Sequence, residues 1–111
     1  MSGDVILSRT RGPSADEVHW SCTTGVVYWI RAFIAERVDD PDLAAELAVE
    51  IQYLMLYAYT DEQVRAIVRV ILHDMPAGVD EAFAHSPGGQ AEVRELIAMV
   101  DQWAHRYGFA D

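Results

Sequence analysis

The side chains suited to proton transfer, thiol chemistry or metal ligation in this chain are four histidines, one cysteine and eighteen acids. His19 and Cys22 lie three residues apart, a helical spacing that would set an imidazole beside a thiol and activate a nucleophile. Activation also needs an accessible, electropositive setting. Cys22 instead falls between Val18, Val26 and Trp29 on an apolar helical arc, so it reads as core with His19 at its edge. Glu81 with His85 and Asp101 with His105 are i,i+4 pairs that read as exposed ion pairs. Neither has the ExxH spacing of carboxylate-bridged two-metal bundles, and HExxH and CxxC are absent, so no metal site is expected. Ser21 and Ser86 lack an elbow motif and an evident base, Gly88 and Gly89 are isolated, and GxGxxG and GxxxxGK[ST] are missing. Asp39, Asp40 and Asp42 occupy a helix start, where the macrodipole favours acids. No catalytic residue and no cofactor is expected.

Two polar stripes are more informative. Glu46, Glu50, Tyr53 and Tyr57 follow i, i+4, i+7 and i+11, which on a helix makes an acidic and tyrosyl ridge. Glu62, Arg65, Arg69 and His73 form the main basic concentration, and Arg65, Arg69 and His73 are a secondary candidate surface. These ridges either face each other as structural ion pairs, lie solvated, or bind a protein, since Tyr and Arg are enriched at interface hot spots.

The elements that would carry these residues read as all-α: a compact bundle of four main helices with short loops, spanning residues 14–111 behind a flexible arm at residues 1–13. Residues 5–7 of the arm could still pack as a short extended piece. Ser14 and Glu17 form a capping box that opens a first helix to about residue 38. Thr23, Thr24 and Gly25 weaken its middle and predict a kink or a later start. On a wheel its apolar residues, Trp20, Trp29 and Phe33 among them, cover an arc of roughly 200° that needs neighbours on two sides. A homodimer would bury any surplus of that arc. Asp40 and Pro41 start a second helix over 41–59 with Leu43, Leu47, Ile51, Leu54 and Ala58 buried. Thr60 and Gln63 are a second capping box, and the helix they open is closed by Pro76. Residues 77–84 form a short helical turn. After the break at 86–89, a last helix covers 90–107 and Gly108 caps it.

Composition bounds the partners. At 111 residues with 51% hydrophobic side chains the chain can bury one core, and no stretch is long and apolar enough for a membrane span or a signal sequence. A formal charge of −10 repels nucleic acid and anionic membranes and suits a basic protein. A single cysteine fits a reducing compartment, so the expected location is cytoplasmic. In general character the chain resembles small, acidic, helical immunity, antitoxin or inhibitor proteins of bacteria. That resemblance implies a larger protein target and brings no residue roles. The expected function is therefore a non-enzymatic protein-interaction module. The alternative is a small-ligand sensor with an aromatic pocket near Trp20, Trp29 and Phe33, and an enzyme ranks third. A filled core with exposed Tyr53 and Tyr57 favours the first reading, and a pocket among the aromatics the second.

Overall fold

The computed structural model describes residues 2–12 and 15–110 and shows an α+β fold, which overturns the all-α bundle. Three strands, β1 (Ser2–Leu7), β2 (Val18–Thr23) and β3 (Tyr53–Met55), form a mixed sheet in the order β2-β1-β3. β1 runs antiparallel to β2 and parallel to β3, with Val5 opposite both Trp20 and Leu54. Five α-helical segments follow the chain as α1 (Thr24–Ala35), α2 (Pro41–Leu47), α3 (Asp61–Arg69), α4 (Met75–Ala82) and α5 (Pro87–Tyr107). Among the described residues, no helix is long and apolar enough to cross a membrane.

The expected arm is instead the central strand. Gly3, Val5 and Leu7 point inward and are buried, while Asp4 and Ile6 face out. Gly3 is required by close approach, because a Cβ there would stand 2.5 Å from Val27 Cγ2 and 2.9 Å from the Gln52 carbonyl. Residues 18–23 also leave the expected first helix: Val18, Trp20 and Cys22 turn inward and His19, Ser21 and Thr23 outward. This is a period of two, with β-branched ends. The helix starts late, at Thr24. Ser14 of the proposed first capping box lies outside the described residues.

These changes remove the wide apolar arc, because Trp20 belongs to the sheet and α1 alone buries Val27, Ile30, Phe33 and Ile34. The sheet's inner face covers what a second copy was invoked to cover. The argument for a homodimer therefore loses its basis.

The second helix keeps its expected start, with Asp40 Oδ1 accepting from the Asp42 and Leu43 amides at 2.9 and 3.3 Å. It stops at Leu47 rather than near residue 59, and β3 and a 3₁₀ turn (Leu56–Ala58) occupy the rest. The Thr60 and Gln63 capping box is made in both directions, at 3.0 and 3.2 Å. Pro76 does not close this helix. A π-helical turn at Val70–Asp74, in which the Met75 amide reaches back to the Val70 carbonyl, carries the helix past the proline into α4. Ser86 Oγ caps α5 through the Gly89 amide at 3.2 Å, so that helix starts at Pro87. Gly108 closes it with φ 83°.

Candidate functional site

The predicted ridge lies where α2 gives way to β3, and Arg31 governs that junction. Its side chain is 2% exposed. Nε donates to the Val49 carbonyl at 3.2 Å, Nη1 to the Tyr53 carbonyl at 2.8 Å, and Nη2 to the Glu46 carbonyl at 2.8 Å. Glu46 Oε1 stands 3.3 Å from Nη2 and neutralises it. The planar fork thus binds one carbonyl in the last turn of α2 and two beyond its end, which helps hold the connection from α2 into β3. Since the Asp4 amide donates to the Gln52 carbonyl at 2.9 Å, the Tyr53 backbone faces away from β1. Arg31 occupies that edge carbonyl, and the edge of β3 is blunted.

The four ridge residues are consequently not one helical stripe. Glu46 is part of the clamp, and its Oε2 accepts the Tyr59 hydroxyl at 2.5 Å. Burial first, then this carboxylate, pushes the Tyr59 phenol up to about 12. Glu50 is exposed in the connecting segment, Tyr53 is 38% exposed on β3, and Tyr57 is half-buried in the 3₁₀ turn with its hydroxyl 2.8 Å from Met55 Sδ. What the helical reading missed is that Val49 and Ile51, 52% and 39% exposed, alternate with Glu50 and Gln52 and lead into Tyr53. Ile51, expected in the buried leucine stripe, is at the surface. The signal that could have found this face is the period-two run of Val49, Ile51, Tyr53 and Met55.

The secondary basic stripe divides. Arg69 and His73, with Val68, Leu72 and Pro76, form one wall of a cleft of about 560 Å³ between the α3–π segment and α5. Arg94, Ile97, Asp101 and His105 line the other wall, and Phe109 also lines the cleft. Arg65 stands apart, donating to the Gly108 carbonyl at 2.6 Å with its guanidinium 4.9 Å from the Phe109 ring centre. Glu62 is exposed on the first turn of α3 and is not among the lining residues. Compared with family models, with curated proteins and with solved structures, the chain matches none.

The fold also tests the other chemistry-bearing residues. His19 and Cys22, an odd step apart on β2, face opposite sides of the sheet. The Cys22 thiol donates to the Glu92 carboxylate, and burial followed by that contact pushes its pKa up, away from an activated thiolate. His19 instead meets Ser21 and Asp4 on the outer face. Ser21 Oγ lies 2.6 Å and His19 Nε2 2.8 Å from the same Asp4 Oδ1, with 3.3 Å between Ser21 Oγ and His19 Nε2. In a hydrolytic relay the acid holds one imidazole nitrogen while the other accepts from the serine. Here one nitrogen and the serine both point at one carboxylate oxygen, so the group fixes two strands together. The hydrogen bond from Ser21, then that from His19, holds the Asp4 carboxyl below its ordinary range.

Asp101 and His105 do pair, at 3.2 Å. Among the described residues no three His, Cys, Asp or Glu side chains converge as a metal would need. Trp20 is core, while Trp29 and Phe33 line a smaller groove of about 250 Å³. The loss of the helical bundle also removes the helical part of the likeness to small bacterial immunity or inhibitor proteins.

Proposed function

We propose that the chain is a non-enzymatic protein-interaction module whose contact surface is the exposed connecting segment 49–53. The carrying observation is that, among the described residues, Val49, Ile51 and Tyr53 are the exposed large hydrophobic residues and fall within five consecutive positions. They sit in a stretch, residues 38–60, with five acids and no basic side chain. An apolar centre with an anionic surround suits a basic protein face: the acids speed encounter, and the apolar side chains and the tyrosine slow release. The predicted residues keep different parts. Glu50 and Tyr53 remain contact residues, Glu46 holds Arg31, and Tyr57 borders the surface.

A photo-crosslinking residue at Ile51, compared with one at exposed Ala91 on α5, tests the reading in the source cells. Adducts to one basic protein from position 51 and not from position 91 support it; the same adducts from both positions, or none from position 51, overturn it. With that protein in hand, Tyr53→Ala is expected to accelerate dissociation at a cost of about 2 kcal/mol. Glu50→Gln is expected mainly to slow association, an effect that fades with salt.

A further inference from the structure

We propose that the cleft between the α3–π segment and α5 binds a small neutral molecule, an apolar body carrying one hydroxyl or comparable hydrogen-bonding group, with that group placed at His73 and His105. This inference does not rest on the docking surface, with which the cleft shares no residue. The volume of about 560 Å³ is within the range of small-molecule pockets, roughly 300–1,000 Å³. Val68, Leu72, Pro76, Ile97 and Phe109 supply apolar lining. The Trp103 ring stacks on Phe109 at 5.2 Å, and Arg65, 4.9 Å from the same ring, is tied to the Gly108 carbonyl, so this part of the lining is formed before any ligand arrives. The π turn that carries Leu72 and His73 is a rare local geometry, frequent at functional sites.

The charges of the lining are already engaged, and this selects a neutral ligand. Arg94 pairs with Asp80, Asp101 with His105 at 3.2 Å, and Arg69 has a partner of its own. An anionic head would have to draw one of these cations from its partner, in a chain of net charge −10. A cationic head would meet two guanidiniums and a single acid that His105 holds. A neutral group asks for neither exchange. The imidazoles are what remains for it. Among the described residues His73 makes no hydrogen bond or ion pair, and His105 turns Nδ1 to the Asp101 carbonyl at 2.8 Å, which leaves its Nε2. An imidazole nitrogen either donates to a hydroxyl or accepts from it. His73 and His105 are exposed on opposite walls, whereas Leu72 and Ile97 are half-buried and Val68 is buried. The polar group therefore sits at the surface of the cleft and the apolar body beneath it, where each apolar contact removes lining from water.

The test uses the whole chain at neutral pH and two probe series that share a body and differ in head group: 2-naphthol, 2-naphthoate and 2-naphthylmethylammonium, and octanol, octanoate and octylammonium. Binding is followed by calorimetry and amide chemical-shift mapping. At least one of the two neutral probes is expected to bind saturably with Kd below about 1 mM, and at least about fivefold more tightly than either charged member of its series. Shifts should centre on the residues of the α3–π segment and α5. His73→Leu with His105→Leu, at two exposed positions, should weaken the neutral probe by about threefold or more. Ala98→Trp, which fills the cleft from an exposed position on α5, should abolish its binding. Absence of saturable binding by both neutral probes, a charged probe that binds as tightly as the neutral one, shifts centred elsewhere, unchanged affinity in the double histidine variant, or binding that survives Ala98→Trp would each overturn the proposal. So would occupation of the cleft by a second copy of the chain, seen as concentration-dependent shifts of the same residues without probe.

Discussion

Arg31 and Arg69 show what the two halves of this molecule do with the same guanidinium. Around residues 46–53 the cation is buried and its donors go to three main-chain carbonyls, with one carboxylate to balance the charge. Along the α3–π segment Arg69 lies exposed on the lining of an open cleft whose floor is apolar. The first arrangement is finished: its donors are used inside the fold, and what faces solvent there is apolar side chain and acid. The second stays at the surface, where water reaches it. A buried guanidinium is therefore a structural part, and the acidic face owes its shape to a cation that never reaches it.

The strongest way to break that contrast is to remove the clamp. Arg31→Met would leave carbonyls without a donor and Glu46 without its cation, and a loss of about 3–5 kcal/mol is expected in urea unfolding. Arg31→Lys should recover only part of it, because an ammonium lacks the planar fork that reaches three carbonyls at once. Glu46→Gln keeps the carbonyl contacts and should cost less, about 1–2 kcal/mol. If Arg31→Met costs under about 1 kcal/mol, the arginine is not what holds the segment and the two regions do not differ in kind.

This clamp also marks how far the sequence could be read. Local signals were legible where one element decides them: Asp40 with Pro41, Thr60 with Gln63, and Gly108 all cap helices where their chemistry demands. Residues 43–58 satisfy a helical stripe through Leu43, Leu47, Ile51 and Leu54, yet also alternate through Val49, Ile51, Tyr53 and Met55. Periodicity alone cannot choose between the two. The choice falls to partners distant in the chain, β1 on one side and Arg31 on the other. Arg31, set within the apolar run of residues 26–35, carries no local sign of that role. Pro76 misled for the opposite reason: the stop it signals is local, and a π turn upstream relieves it. Of the site, Arg69 and His73 were found together because both lie on one helical stretch. The cleft was not, since its second wall is contributed by α5, more than twenty residues onward.

A smaller effect sharpens the same comparison through pH. Tyr59 is neutral in the fold and its phenol is pushed up to about 12, against an ordinary value of 10, by burial and by Glu46. A group whose folded pKa is raised contributes stability that is complete below the unfolded value and is lost as pH rises through the folded one. Stability should therefore decline between pH 10 and about 12, the window set by Tyr59. Tyrosinate absorbance should show one late-titrating phenol, absent in Tyr59→Phe and moved to lower pH in Glu46→Gln. A wild-type titration with no late phenol would mean that Glu46 and Tyr59 are not joined, and that the clamp ends at Arg31.

The smallest expected change is at Arg94, on the cleft side. Its guanidinium pairs with Asp80 of α4, but the two side chains are 48% and 64% exposed, so water already competes for both charges. The pair holds two long side chains in one geometry at an entropic cost close to its screened attraction, and such pairs contribute roughly 0–1 kcal/mol. Arg94→Gln should thus leave the urea midpoint within that range of the wild type, and salt should shrink even the residual difference. The contrast with Arg31 is then a difference of environment, since both are arginines facing one carboxylate. Arg31 has lost its water and must keep its partners; Arg94 has kept its water and can let Asp80 go. A loss above about 2 kcal/mol in Arg94→Gln, insensitive to salt, would show that the α4–α5 side of the cleft is held by a second structural clamp.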